Sequence, residues 1–392
     1  MTDLQKNEQS SHQGMRITSI QKIVYALKKG IYTKNGIISE TNLSWGSCIS
    51  IINLLYEKEI ILKTNNKISI GKGRKTSEYH FNSRKNLLFG MEIREDEILC
   101  SIINWEDYEI SRYAFPLQVE IKHSNIAGLV SSAYINSLVE AGIKPESVIG
   151  LSIALAGGVD IVNKKWLFAP RIKSINNYNF SQLFKILPSI SYTFIEHDIH
   201  AQASSVMRQR KWDDNNYVFL HIGRGISMSI FNNGLYLGNR GFAGEIGHIP
   251  YPSSCIKGEL RSVESVISMK GIIDFINGSY GLGIKSLDEM SNVLKKDDRL
   301  LDHVYNAVKY IMIVTTNILD PDTIIIGGSV LEPFYPKLKE RIEKAIRNDT
   351  WAGGPKNIKW YNHEEMYGAY GTILNASNSI INAVIEEKLI NL

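Results

Sequence analysis

A chain of 392 residues, 44% hydrophobic and 21% charged, is long enough for two or three domains with substantial cores and has the make-up of an ordinary soluble globular protein. No apolar run reaches the roughly 18 residues of a membrane span, and the opening MTDLQKNEQSSHQG is too polar for a secretory leader. Three cysteines, Cys48, Cys100 and Cys255, show no close pairing and suit a reducing cytoplasm. The net charge of +4 is unevenly spread: residues 1–86 hold 14 Lys and Arg against 6 Asp and Glu, a net of +8, and the rest holds 30 against 34, a net of −4. A basic module on a mildly acidic body is the pattern of a nucleic-acid-binding head; on charge alone a solvated basic face reads the same.

In chain order, residues 1–14 are expected to be a disordered tail, being polar and without periodicity. Ile20, Ile23, Val24 and Leu27 then fall on one face of a helix that ends near Gly30. A short helix follows from Thr33, its N-cap, with Lys34 at its start and Ile37 and Ile38 inside. Ser44 caps a third helix that turns Cys48, Ile52 and Leu55 to one side and Trp45, Gly46, Ser47 and Ser50 to the other. IILKTNNKISIG reads as two short strands around a turn at Asn65–Asn66. Three helices and a hairpin over 15–71 spell a winged helix-turn-helix, the third helix bound for a major groove, with Lys63 and Lys67 near phosphates. Lys72, Arg74 and Lys75 would add charge in a basic linker over 72–86. A small helical protein-docking domain is the alternative, and a Trp-Gly start is an unusual base reader.

From Leu87 the pattern becomes α/β. NLLFGMEI and EILCSIINW form a hairpin, IAGLVSSAYINSLVEAG a helix, VIGLSIALAG a buried strand, and YTFIEHDIHAQASSVM a strand running into a helix. YVFLHIGRGISMSIFNNGLYLG restarts the hairpin; a helix over about 299–319, a strand in DPDTIIIGGSV and a helix from Pro333 to Arg347 follow. Two copies of a hairpin with βα units imply duplicated lobes around a cleft, 87–198 with 375–392, and 199–374.

The segment GFAGEIGH, followed by CIKGELRSVESVIS, resembles the signature of the ROK family (repressors, open reading frames and sugar kinases), whose pattern is Glu-x-Gly-His and then Cys-x-Cys-Gly-x-x-Gly-Cys-Leu-Glu. Cys255, Gly258, Glu264 and Ser268 stay in register, and the first 71 residues resemble the winged helix of the repressor branch. The resemblance implies an N-terminal winged helix-turn-helix on a two-lobed actin-like ATPase fold of the sugar-kinase kind, the lobes closing on a sugar. It also places Asp198, in IEHDIHAQA, at the carboxylate that deprotonates a sugar hydroxyl in kinases, and Glu245 and Glu264, joined by His248, at sugar contacts. For Asp198 an ordinary helix-start aspartate remains open, and for the glutamates plain surface exposure.

Several family features are altered. The first phosphate loop, Asp-x-Gly-Gly-Thr, is Glu92-Ile93-Arg94-Glu95-Asp96 here, whose carboxylates would repel and obstruct ATP. The second survives only as Gly223-Arg224-Gly225, and a Gly327-Gly328 turn remains. The family's structural zinc takes that His and three Cys, but Lys257 and Ser262 stand for two of them, so no metal and no cofactor is expected. Arg171 replaces an Asn, His197 replaces the Asn before Asp198, and Ala156-Gly157-Gly158 replaces Pro-Gly-Pro, which would loosen that turn. Arg171 suggests an anionic effector such as a sugar phosphate.

The leading expectation is a cytoplasmic, dimeric or tetrameric repressor that binds a double-stranded operator and senses a carbohydrate without catalysis. A sugar kinase with a DNA-binding head and a regulator governed by a protein partner are the competitors.

Overall fold

The computed structural model describes residues 3–68, 76–187, 189–256, 259–286, 289 and 298–389. Its contacts divide the chain into two units, residues 1–201 with 368–392, and residues 202–367. The boundary expected at 198 thus lies at 201. The C-terminal return expected from 375 begins at 368, because the C-terminal helix, Gly368–Lys388, is one continuous element.

In the first unit α1 (Asp3–Lys28), α2 (Lys34–Thr41) and α3 (Trp45–Glu57) pack around Ile20, Ile23, Val24, Leu27, Ile37, Cys48, Ile52 and Leu55, all fully buried. The caps are as expected. The Thr33 side chain accepts from the Gly36 amide at 3.2 Å, and Ser44 accepts from Ser47 at 3.2 Å. Asn42, at φ 55°, makes the left-handed turn that ends α2. The expected disordered tail is instead helical from Asp3: Gln5, Lys6, Glu8 and Gln9 are good helix formers, and apolar periodicity carries no signal in so polar a stretch.

The hairpin is also corrected. β1 (Ile61–Ile68) stays extended through Asn65 and Asn66, and pairs antiparallel with β2 (Thr76–Phe81), Ile61 opposite Phe81 and Thr64 opposite Glu78. The stretch 72–86 therefore contains a strand of the wing. Tyr79 and Phe81 alternate into the core, which outweighs an Asn-Asn turn signal that lacks glycine. Residues 69–75 lie outside the described ones. The head is tied to the rest of its unit: Lys28 Nζ sits 2.9 Å from the Asp107 carboxylate and 3.0 Å from Asn378 Oδ1, and Gln21 Nε2 donates to Asn382 Oδ1 at 3.0 Å.

The body of this unit is a five-stranded sheet. β3 (Leu87–Ile93) pairs antiparallel with β4 (Glu97–Ile103), and β4 with β5 (Glu109–Pro116), an edge strand that the sequence reading missed. After α4 (Ile126–Glu140), β6 (Val148–Leu155) joins β3 in parallel, every residue buried. A small sheet follows, β7 (Gly158–Asp160), β8 (Lys165–Phe168) and β9 (Asn176–Asn179), then α5 (Ser181–Ile186). β10 (Tyr192–His197) lies parallel to β6 and runs into α6 (Asp198–Arg210).

The second unit repeats the plan. β11 (Asn216–Ile222) and β12 (Ile226–Asn232) form its hairpin; β15 (Thr323–Gly327) adds to β11 in parallel and β16 (Asn357–Tyr361) to β15. Between them come β13 (Pro250–Ile256), β14 (Glu259–Ser262), α7 (Val263–Ile267), α8 (Met269–Tyr280) and α9 (Asp298–Leu319); α10 (Lys337–Asp349) precedes β16. α10 starts at Lys337 rather than Pro333 because Glu332–Phe334 forms its own short turn before Pro336. The hairpin-first order in both units matches the duplication expected from the sequence.

The C-terminal helix packs on β3 through Gly90, where an added Cβ would stand 1.8 Å from the Ala369 carbonyl oxygen. Neither backbone can yield, since one is a central strand and the other the first turn of a helix. Gly90→Ala is expected to cost about 3 kcal/mol, read as a lowered urea midpoint for the transition that unfolds this unit.

Candidate functional site

In the first unit, the end of β3, its turn to β4, the start of α6 and the first turns of the C-terminal helix gather one buried polar cluster. Glu92 is almost wholly buried. Its Oε2 accepts from the Gly368 amide at 2.8 Å and from Arg94 Nη2 at 3.0 Å; Arg94 Nη1 also reaches Glu97 at 3.2 Å. Arg171 Nε pairs with Glu95. The turn Ile93–Glu97 is thus occupied by interlocked ion pairs, in which two guanidinium groups face the four carboxylates of Glu92, Glu95, Asp96 and Glu97, so the turn stays net negative as well as obstructed. Glu95 lies on Arg171, so an anionic effector at that guanidinium would compete with this half-exposed ion pair.

Asp198 opens α6 and accepts from the Ile199 amide at 2.8 Å. Loss of water, then the nearby Glu92 charge, pushes its carboxyl up to about 7, against the pull of the Ile199 amide, Arg171 and Arg94. The group therefore sits near half-protonation at neutral pH and can donate as well as accept a hydrogen bond. His197 and His200 are buried beside it with ring centroids 5.4 Å apart, and burial, then His197, pushes His200 down to about 3. Gly157 takes φ +90°, and a Cβ there would meet the Phe168 carbonyl oxygen at 2.4 Å. With Trp166 Nε1 donating to the Ala156 oxygen at 2.7 Å, this turn is held and not loosened as expected.

Glu196 was missed in the sequence, although a carboxylate inside the apolar strand YTFIEH is a signal. It is buried, accepts from Asn375 Nδ2 at 3.0 and 3.2 Å, and is pushed up to about 7 by loss of water against hydrogen bonds from Thr372 and Asn375.

In the second unit Glu264 Oε2 accepts from the Ile226 amide at 2.9 Å, which fixes its carboxylate at the base of the β11–β12 turn. Glu245 and His248 lie together, Oε2 to Nε2 3.6 Å, both substantially exposed. Burial, then His248 against and Glu264 in favour, leaves the Glu245 carboxyl raised. The Cys255 side chain and Lys257 fall outside the described residues. The Ser262 hydroxyl caps α7 by accepting from Ser265 at 3.2 Å, and the donor set His248, Cys255, Lys257 and Ser262 does not fit a tetrahedral zinc. His221, also missed, places its ring against both Gly223 and Gly328, where added Cβ atoms would meet it at 2.4 and 2.9 Å, and bonds Tyr361 Oη at 3.0 Å. The space beside the two remaining glycine turns is filled by this imidazole.

In the head, Trp45 is 69% exposed, and Gly46, Ser47 and Ser50 are exposed on the same helix. Ser44 and Ser47 hydroxyls bond each other at 2.8 Å within the cap, so Ser44 serves the helix end first. Lys34 Nζ lies 5.5 Å above the Tyr79 ring, and Lys63 is exposed on β1. The Lys67 side chain and Lys72, Arg74 and Lys75 fall outside the described residues.

One pH dependence follows. Glu196 has an ordinary value of 4.5 and a folded value near 7, so between those values the folded chain binds the extra proton and stability falls as pH rises. Glu196→Gln is expected to gain on the parent chain as pH rises from 4.5 to 7, by about 3 kcal/mol at the plateau above it, measured as the difference in urea midpoints.

The model for the ROK family matches residues 125–377. The DNA-binding transcriptional dual regulator NagC of Escherichia coli K12 is 21% identical over 379 residues, covering 90% of each chain. The xylose repressor of Bacillus spizizenii is 24% identical over 352 residues, 85% of this chain and 89% of its own. Among solved structures, a ROK family transcriptional regulator homologous to E. coli MLC superposes with a TM-score of 0.77 at 17% identity, over 96% of this chain and 100% of the other. The ROK hexokinase of Thermus thermophilus reaches 0.60 at 18% identity over 76% and 99%. The fold is thus that of ROK regulators and sugar kinases, and with the family model spanning well over half its length the chain belongs to the ROK family.

Proposed function

We propose that this chain is a sequence-specific DNA-binding transcriptional regulator, a repressor of carbohydrate-metabolism genes, whose kinase-like body senses a sugar or sugar derivative and transfers no phosphoryl group. The observation that carries the reading is a helix-turn-helix tied to a body whose first hairpin turn is closed by Arg94 lying on Glu92 and Glu97. Phosphoryl transfer needs backbone amides open to the phosphates; here a guanidinium and its partner carboxylates occupy the turn, and His221 lies against the other glycine turns. Asp198 keeps the ability to hydrogen-bond a sugar hydroxyl, which binds without reacting. Relatives matched over most of the chain are named a DNA-binding transcriptional dual regulator and a xylose repressor, which supports the same reading. Among the described residues no helix is long and apolar enough to cross a membrane, in keeping with a cytoplasmic regulator.

Operator binding as a dimer or tetramer belongs to this reading, since paired half-sites need paired heads. A regulator governed by a protein partner, without a sugar, is the second reading; the filled turns of both units favour it over an active kinase. Two measurements decide. A coupled ATPase assay against a sugar panel is expected to give no turnover above background, and sustained turnover would refute the non-catalytic body. Calorimetry with the same sugars separates the sensor from the partner-governed form.

Duplex binding, read by fluorescence anisotropy at about 50 mM salt, is expected to weaken steeply as salt rises. Lys63→Ala should lower the slope of log affinity against log salt by about 0.9, and leave sequence preference unchanged.

A further inference from the structure

The chemistry of the exposed face of α3 restricts what that helix can read. Its sequence, WGSCISIINLLYE, holds no lysine or arginine, and its one charge is Glu57 in the last turn. Guanine is commonly read through a bidentate Arg or Lys to O6 and N7, and α3 has neither. The exposed positions are Trp45, Gly46, Ser47, Ser50, Asn53 and Tyr56, followed by Glu57. Asn53 is the single amide side chain among them, and it lies on the stripe of Gly46 and Ser50, three residues beyond Ser50. An amide of this kind pairs bidentately with adenine N6 and N7, and a large apolar side chain suits the thymine methyl. Cations flank the helix without lying on it: Lys34 begins α2, Lys63 stands on β1, and residues 1–86 carry a net of +8. Positioning on phosphates and reading of bases are therefore divided between different elements.

We propose that α3 reads A·T pairs, Asn53 by hydrogen bonds to adenine N6 and N7 and Trp45 by contact with a thymine 5-methyl group, with no guanine contact from this helix. The inference rests on the regulator reading above, and deepens it by naming the base chemistry. Along the helix Trp45 and Asn53 are about 12 Å apart, which spans three to four base pairs, so both contacts fit one half-site.

The experiment is selection of bound duplexes from a randomised library by the full-length chain at about 50 mM salt, then anisotropy on the winning sequence with single atoms changed. Half-sites whose essential positions are A·T pairs are expected. Uracil in place of the contacted thymine removes only the methyl group and should weaken binding about fivefold; 7-deazaadenine removes only N7 and should weaken it about tenfold. Trp45→Ala should abolish the thymine-uracil difference and Asn53→Ala the adenine-deazaadenine difference, each leaving the other intact. Both side chains are exposed, and unchanged circular dichroism excludes a folding defect. Essential G·C pairs or indifference to both atomic changes would each overturn the base assignment while the regulator reading stands, whereas salt-dependent binding with no enriched sequence would overturn the base assignment together with the sequence-specific part of that reading. Failure to bind any duplex would remove the regulator reading itself.

Discussion

A buried carboxylate with two fixed partners organises the first unit. Glu92 is held by a backbone amide of the C-terminal helix and by the guanidinium two residues along its own chain. An unpaired carboxylate at this depth would be strongly unfavourable, so the helix start, the hairpin turn and the strand end are obliged to meet there. The same helix then runs past Glu196 through Asn375, and reaches the head through Asn378 and Asn382. A single continuous helix thus joins the cluster around Asp198 to α1.

The replacement of glycines by charged residues has a consistent chemical direction. Where a nucleotide-binding turn leaves backbone amides bare, this chain places Arg94 and Glu95 and satisfies them internally with Glu92, Glu97 and Arg171. In the second unit His221 lies against glycine turns whose openness would otherwise be their use. Both changes exchange open space at a turn for intramolecular contacts. The carboxylates of Asp198 and Glu264 are each fixed by a backbone hydrogen bond, from the amides of Ile199 and Ile226.

Much of the fold was legible because burial imposes periodicity. The three helices of the head, their serine and threonine caps, the paired hairpins and the fully buried β6 follow from spacing and residue type. What failed did so where the signal is not periodic. The start of α1 has no apolar stripe to count, and β5 is an edge strand with alternate residues exposed. Asn65–Asn66 resembles a turn until the alternation of Tyr79 and Phe81 is seen to pair with Ile61. Asp198, Glu245 and Glu264 were singled out from motif register, whereas Glu196 and His221 lie within apolar strands whose pattern drew no attention to them.

The sequence by itself determined the residue types: which turns carry charge where a phosphate loop has glycine, that α3 has no cation, and that the family's zinc frame keeps only Cys255 of its three thiols. Tertiary structure decided which charges cancel. Arg171 reads as an anion binder in one dimension and proves to be the partner of Glu95, some 76 positions away, and Glu92 finds its second partner at Gly368. Electrostatic meaning depends on distance in space and on the water removed around a group, and neither is encoded in local sequence.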